Sequence, residues 1–303
     1  MATTAHGTNP APAGDPGAAG TELDPRAGAP SASRRARAAY LYWAYAYRRT
    51  WRGSIVGTVV SPVIYLAAMG LGLGALVDSA SGPGLGAGSY LQFVAPGILA
   101  ATAMQTGAGE SMYPVLGAMK WQRQYHAMLA SPLTVRDIFL GHLVWVGTRV
   151  LIAAGIFAGV MIVFRAAPWS GALLAVPAAV LVGVAFAAPV MAFAATRTND
   201  VGFSGLTRFG LIPLFLFSGV FFPIDQLPAA LHPLAYATPL WHGVELCRGA
   251  VLDAGIVGVG DAAGAGRAGF GIGAALGHVG YLLVMTALGI AAAARTFRRG
   301  LLR

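Results

Sequence analysis

Six long apolar stretches dominate this chain, and short polar connections separate them. They cover roughly residues 54–77, 91–117, 138–164, 171–195, 202–222 and 272–294. Each is close to the ~20 residues that an α-helix needs to cross about 30 Å of hydrocarbon. Proline recurs inside several of them, which membrane helices tolerate better than soluble ones do. The pattern predicts an all-α, polytopic membrane protein with six transmembrane helices.

The segment before the first stretch divides into two parts. Residues 1–32 are rich in Ala, Gly and Pro and have no apolar period, so we expect a disordered tail and no signal peptide. Residues 33–52 place arginines on both sides of an aromatic run. Such a helix fits the headgroup layer, and a plain juxtamembrane flank is the alternative. We predict an N-terminal interfacial amphipathic helix over 33–52 and a transmembrane domain over 53–303.

The basic residues alternate between the connections. They are dense before the first stretch and after the last one, and sparse in the 78–90, 165–170 and 223–271 connections. Cytoplasmic connections of membrane proteins carry an excess of Lys and Arg. Both termini and the 118–137 and 196–201 loops are therefore predicted to be cytoplasmic, which requires an even number of spans.

Composition excludes several other classes of protein. The 303 residues are 56% hydrophobic and only 10% charged, whereas soluble domains carry about 25% charged residues. The net charge of +9 lies in clusters beside apolar stretches, so it indicates topology and not nucleic-acid binding. Cys247 stands alone, which excludes an internal disulfide and a cysteine-based metal site. Phosphate-loop, H-E-x-x-H and G-x-S-x-G motifs are missing, so we expect no catalytic residue, no metal site and no ATP hydrolysis by this chain.

The 118–137 connection carries helix signals. Pro132 stops one helix, and Thr134 can cap the next with Asp137 at its third position. We therefore predict a short surface helix over about 119–130. An apolar stripe recurs along it at i, i+4, i+7 and i+8: Trp121, Tyr125, Met128 and Leu129. The stripe could rest on lipid, on the protein itself or on a partner protein.

Two ionisable residues lie inside apolar stretches. Charge in hydrocarbon is expensive, so Glu110 in the second stretch and Arg149 in the third each demand a partner. At ~1.5 Å per residue their depths are roughly 10–14 Å and 16 Å, so adjacent antiparallel helices could pair them. His142 and Trp145 share a face of the third stretch with Arg149. We predict an intramembrane polar pair, either a structural ion pair or a direct substrate contact.

The 223–253 segment contains an apolar run that is too short to span. Residues 239–252 are more typical of a re-entrant or interfacial helix than of a transmembrane one. With 225–236 they would form two short helices dipping into the outer face, and a simple outer loop is the alternative. The candidate residues of this outer re-entrant segment are Asp225, Gln226, Pro239, His242, Glu245 and Arg248.

Three motifs resemble a known family. The first is Trp121 to Leu133 (WQRQYHAMLASPL), followed by Asp137-Ile138 and Gly141 to Trp145. The second is Phe221 to Pro228 (FFPIDQLP), followed by Pro239-Leu240 and His242. The third is Glu110 to Tyr113. The chain resembles the type-2 ABC exporter permeases over roughly residues 38–300, especially the lipo-oligosaccharide (nodulation-factor) export and daunorubicin-resistance branches. His142 departs from the pattern, because the glycan branch often has Glu there, and this favours the drug branch.

The resemblance implies a function and partners. The chain would be the permease of a bacterial inner-membrane exporter, a homodimer or pseudo-dimer bound to two copies of a separate ATPase that uses ATP and Mg. Hydrophobic drugs or lipid-linked glycans would be the substrates, as in antibiotic efflux, and residues 34–52 would form a gate helix. The surface helix would be the ATPase coupling helix, with Lys120, Trp121, Gln122, Arg123, Gln124, Tyr125, His126, Met128 and Leu129.

Two other classes of function stay open at this stage. An intramembrane enzyme acting on a lipid-linked substrate would need clustered carboxylates or a His/Asp/Glu site, and the stretches offer only Glu110. An ATP-independent transporter or channel usually has more buried polar residues or an internal repeat, and the chain has no convincing repeat.

Overall fold

All regular secondary structure in the described part of the protein is helical. A computed structural model describes residues 31–74, 76, 89–254 and 271–302. We number its main helices in chain order as α1 (Ala32–Tyr47), α2 (Trp51–Gly74), α3 (Tyr90–Leu116), α4 (Gln124–Leu129), α5 (Val135–Val163), α6 (Trp169–Ala194), α7 (Val201–Phe217), α8 (His232–Tyr236), α9 (Pro239–Ala254) and α10 (Ile272–Leu301). The tail predicted over 1–32 lies outside these residues, apart from its last two positions.

Four helices are long and apolar enough to cross a membrane: α2, α5, α6 and α10. Helix α3 has 27 residues, but it is more polar because Thr102, Gln105, Thr106 and Glu110 lie along it. Helix α7 has a π-helical turn at Thr207–Leu211 and is shorter than these four. Four of the six predicted stretches thus form helices that are long and apolar enough to span, and crossing by α3 and α7 stays a prediction.

The N-terminal helix is shorter than predicted. We expected one helix over 33–52, but α1 ends at Tyr47 and α2 begins at Trp51. The N–H groups of Arg49 and Thr50 bond to carbonyls three residues back instead of four, at 3.2 and 2.9 Å. This tighter turn ends α1, so the last residues of the predicted interfacial helix belong to the turn and to the first transmembrane helix.

Helix α6 lies at the centre of the bundle and packs against α3, α5, α9 and α10. Its small residues allow close approach: a Cβ on Gly183 would lie 2.6 Å from Val150 of α5, and Gly289 of α10 packs as tightly on Pro189. A Cβ on Gly107 of α3 would overlap the carbonyl oxygen of Gly183. The hydrophobic effect does not drive helices together within lipid. Membrane helices therefore depend on close packing of this kind for their association.

The predicted cap of α5 is confirmed. The Thr134 hydroxyl accepts from the Asp137 N–H at 3.2 Å, and the Asp137 carboxylate accepts from the Thr134 N–H at 2.9 Å. The same carboxylate accepts from Arg35 of α1 at 2.8 Å. A Cβ on Gly141 would lie 2.6 Å from the Ala39 Cβ, so α1 is held closely along the start of α5.

The surface helix predicted over 119–130 is wrong as a single helix. A π-helical turn runs over Gly117–Trp121, and Arg123 adopts a left-handed conformation with φ of 53° before α4 begins at Gln124. This conformation is sterically unfavourable for a residue other than glycine, so the packing around Arg123 must stabilise the break. It lets Tyr125 enter the protein interior while Lys120 stays exposed.

The outer segment forms short helices, as predicted. Two 3₁₀ turns, Ile224–Gln226 and Ala229–Leu231, precede α8 and α9. Helix α9 buries Leu240, Val244 and Cys247 against the bundle, chiefly against α6 and α3. Re-entry of this segment into the bilayer stays a prediction.

Candidate functional site

An ion pair joins α3 and α5 within the bundle. The Arg149 Nε donates to Glu110 Oε1 at 2.9 Å, and Arg149 Nη2 donates to the Ser54 hydroxyl of α2 at 2.7 Å. The guanidinium carbon also lies 4.3 Å from the centre of the Tyr47 ring. The two side chains predicted as an intramembrane polar pair are therefore in direct contact, and a charged group in the bundle is neutralised by its partner.

A polar cleft of about 590 Å³ opens between α2, α3 and α5 beside this pair. Hydroxyl and amide groups dominate its polar lining: Ser54, Thr58, Ser61, Tyr65, Thr102, Gln105 and Thr106. Within this lining Glu110 is the one acidic residue and Arg149 the one basic residue. The cleft is therefore suited to hydrogen bonding with a largely neutral polar group.

A second cavity of about 410 Å³ lies between α1, the end of α3 and the Gly117–Trp121 turn. Trp43, Tyr47 and Trp121 supply its aromatic walls. Glu110 and Pro114 line both cavities. The ion pair thus stands where a cavity near the surface turn meets the cleft between the helices.

A buried aromatic cluster connects α4 to α1 and α5. The Tyr125 hydroxyl and His142 Nδ1 share a hydrogen bond, and Trp43 stacks on the His142 ring with centroids 4.0 Å apart. Phe297 of α10 lies 5.6 Å from the Tyr125 ring. Burial raises the pKa of the Tyr125 phenol well above its usual value, so this group is protonated at neutral pH. The cluster fixes α4 to three other helices.

The residues predicted for the coupling helix divide by exposure. Tyr125 is buried, and Gln124, Met128 and Leu129 are half-buried. The exposed members are Lys120, Trp121, Gln122, Arg123 and His126. Three of the four residues in the apolar stripe therefore rest on the protein itself. Trp121 does not, because 58% of its surface is exposed.

The residues predicted for the outer segment do not form one site. Arg248 is buried and pairs with Glu245 at 2.8 Å, and it also donates to the Gly219 carbonyl at 3.0 Å. Its guanidinium carbon lies 4.0 Å from the centre of the Phe93 ring, so it joins α9 to α3. His242 instead contacts His278 of α10, with the two Nδ1 atoms 2.8 Å apart.

Asp225 and Gln226 are exposed on a 3₁₀ turn, and Pro239 begins α9. Among the described residues, no group of three or more His, Cys, Asp or Glu side chains is arranged to hold a metal ion. Within the described part of the chain, packing and the Arg248 contacts join the outer segment to the bundle.

Sequence reasoning missed the partners that complete these sites. Ser54, Thr58 and Ser61 recur at i, i+4 and i+7, so their shared face was readable from the sequence. The stacking of Trp43 on His142 had no such signal, because the two residues are 99 positions apart on different helices.

The fold and the cleft define a class: a multi-pass membrane protein with a polar cavity between its helices. Residues 38–252 match the ABC-2 type transporter family. Nodulation protein J of Rhizobium leguminosarum bv. viciae is 30% identical over 226 residues, which cover 72% of this chain and 85% of that relative. Nodulation protein J of Bradyrhizobium diazoefficiens is 32% identical over 267 residues, 87% of this chain and 91% of that relative.

The chain belongs to the ABC-2 type transporter family. The resemblance predicted from the motifs is thereby confirmed, and the protein is a membrane transport permease. A transport subunit without enzymatic activity of its own is consistent with this family.

Proposed function

We propose that this protein is the membrane-spanning subunit of an ATP-driven exporter, working with two copies of a separate cytoplasmic ABC ATPase. Membership of the ABC-2 family implies an ABC ATPase partner. The observation that carries the proposal is the break at Arg123. It presents Lys120, Trp121 and Arg123 outward while Tyr125 is fixed to α1, α5 and α10. Motion of a partner bound at these exposed residues is thereby passed to the helices around the cleft.

The orientation follows from the basic residues. The exposed residues Lys120 and Arg123 and the arginines at the end of α10 belong to the basic clusters that favour the cytoplasmic side. In this arrangement the six apolar stretches all cross a bacterial inner membrane, both termini are cytoplasmic, and the α8–α9 segment dips into the outer face. The ATPase surface then lies where ATP is available.

The substrate we propose is an amphiphile with a hydrogen-bonding head group, either a lipid-linked glycan or a hydrophobic drug that carries hydroxyl groups. The lining of the cleft favours the glycan, since it offers hydroxyl and amide groups with a single neutralised ion pair. His142 no longer argues for the drug branch, because it contacts Tyr125 and Trp43 and lines neither cavity. The relatives named Nodulation protein J agree with the nodulation-factor export branch that the motifs resemble.

An intramembrane enzyme is less well supported. Acid–base chemistry on a lipid-linked substrate needs at least a second ionisable group beside the reacting bond. Within the lining of the cleft, Glu110 is the one carboxylate, and Arg149 already neutralises it.

A binding experiment tests the coupling surface. Charge reversal of Lys120 and Arg123 to Glu should reduce capture of the ATPase by the purified permease at least about tenfold, because each change places repulsion at an interface. The ATPase to test is an ABC ATPase whose gene neighbours that of the permease, and pull-down from reconstituted membranes is the measurement. Arg165→Glu is the matched control, since Arg165 is an exposed arginine beyond the opposite end of α5. Equal capture by all variants would refute the coupling assignment.

A further inference from the structure

A groove of about 700 Å³ runs between the start of α5 and the end of α10, and it shares no lining residue with the polar cleft. Its walls are mostly apolar: Phe139 and Leu140 come from α5, and Ile290 and Ala294 from α10. Phe139 packs on Phe297 with ring centroids 5.8 Å apart, and this contact closes the bottom of the groove. The groove is therefore an apolar surface between two helices that are both long and apolar enough to span a membrane.

Arginines stand at one end of this groove. Arg136 and Arg298 line it, and an adjoining cavity of about 400 Å³ is lined by Arg295, Arg298 and Arg299. The two cavities share Ala294, Arg298 and Leu302. The lining therefore changes from apolar to strongly basic along a continuous surface.

Within the part of the chain that the structure describes, nothing neutralises the charge at this end. No carboxylate lies within ion-pair distance of Arg136 or Arg298 among the residues that the structure describes. Asp137 is next to Arg136 in the sequence, but its carboxylate is held by Arg35 and Thr134. Among the described residues that line the two cavities, none is acidic. An anion would complete the site.

The length of the groove matches one leaflet of a bilayer. Ala287 lines its inner end and Arg298 its basic end. Eleven residues of helix rise about 16 Å, and half of the hydrocarbon core is about 15 Å thick. An acyl chain lying in the groove would thus place a phosphate at the level of the arginines.

We propose that this groove and the adjoining arginine cavity bind one anionic phospholipid, with its acyl chains between α5 and α10 and its phosphate on Arg136 and Arg298. Basic pockets between membrane helices on the cytoplasmic side are suited to such head groups. With the orientation proposed above, the lipid comes from the inner leaflet. The site is separate from the polar cleft, so lipid binding and export can be measured independently.

Native mass spectrometry of the purified full-length permease in detergent tests the proposal. Phosphatidylglycerol should bind more tightly than phosphatidylcholine with the same acyl chains. Arg136→Gln and Arg298→Gln should each weaken phosphatidylglycerol binding roughly fivefold, as expected for one cation near the lipid surface. Arg165→Gln, on an exposed arginine beyond the far end of α5, should leave it unchanged. Equal affinity for the two lipids, or no loss of phosphatidylglycerol binding when Arg136 and Arg298 are both replaced by Gln, would overturn the proposal.

A second pair of variants tests the groove itself. Ala291→Trp fills the groove and should abolish phosphatidylglycerol binding, whereas Leu288→Trp, on an exposed position of the same helix, should not. Glycerol phosphate, which has the head group without acyl chains, should not compete; effective competition would mean a simple anion site. If the arginine variants lose ATPase capture but keep lipid binding, the basic end belongs to the ATPase interface and the lipid proposal fails.

Discussion

At the scale of single residues, Glu110 and Arg149 control the region where the two cavities meet. Each is the other's charge partner, and Ser54 and Tyr47 complete the surroundings of the guanidinium. Removing one member of such a pair leaves a charge among the helices without compensation, whereas removing both does not. Single and double substitutions of this pair therefore distinguish a structural role from a substrate contact.

Glu110→Gln should lower the free energy of unfolding by about 1–3 kcal/mol, because Arg149 loses its counter-charge. The double variant Glu110→Gln/Arg149→Gln should recover part of that loss. Thermal unfolding in detergent measures both, and export from reconstituted vesicles separates the roles. A double variant that is stable but does not export would assign Glu110 to the substrate; a single variant with normal stability and export would deny both roles.

Tyr125→Phe tests the connection from α4 to the bundle. The change removes the hydrogen bond to buried His142 and should lower the free energy of unfolding by about 1–2 kcal/mol. Because Lys120 and Arg123 remain in place, ATPase capture should persist while substrate-driven ATP hydrolysis in the reconstituted complex falls. Tyr45→Phe is the control, since Tyr45 is 60% exposed on α1. Unchanged substrate-driven ATP hydrolysis in Tyr125→Phe would contradict this assignment.

At the scale of helices, the sequence predicted features that depend on neighbouring residues in the chain. It did not predict features that depend on packing between helices. Thr134 and Asp137 were readable as a cap because a capping box is satisfied within four residues. The break at Arg123 was not readable, since a left-handed arginine is stabilised by Tyr125 entering the interior and not by its own neighbours in sequence. The Glu110–Arg149 contact was partly predictable. A charged residue in an apolar stretch needs a partner of opposite charge, and few charged residues lie at the same depth in a neighbouring helix.

Gly107→Ala tests the contact between α3 and α6. The added methyl would overlap the Gly183 carbonyl, so α3 must move, and we expect a loss of about 1–3 kcal/mol in the free energy of unfolding. Gly109→Ala is a matched control two residues away, because its Cβ would meet nothing within 4 Å. The measurement is the thermal unfolding midpoint of each variant in detergent. Equal midpoints would mean that the two helices are not packed as the structure has them.

At the scale of the whole molecule, α2 is the least covered of the four spanning helices. Val56, Val60 and Ile64 are exposed along it, and the polar cleft opens beside this helix. A single copy would leave part of a polar cleft facing lipid, which is unfavourable. A second copy placed against α2 would enclose the cleft, in agreement with the homodimer or pseudo-dimer that the family resemblance implies.

Cysteine cross-linking tests this arrangement. Val60→Cys should form a disulfide-linked dimer in oxidised membranes, whereas Val163→Cys, exposed at the far end of α5, should not. The native Cys247 does not interfere, since burial raises the pKa of its thiol to about 12. Gel electrophoresis without reductant gives the result. Cross-linking at Val163 and not at Val60 would place the dimer interface on another face.

The shared position of Glu110 in two cavities has a consequence for the resting membrane. A bacterium holds a voltage across its inner membrane, and each elementary charge that crosses gains about 2.3 kcal/mol per 100 mV. A permanently open path beside α3 would let protons and small ions run down that voltage. In the exporter that we propose, the Glu110–Arg149 pair stands where the two cavities meet, so we expect it to limit ion leak when no cargo is bound.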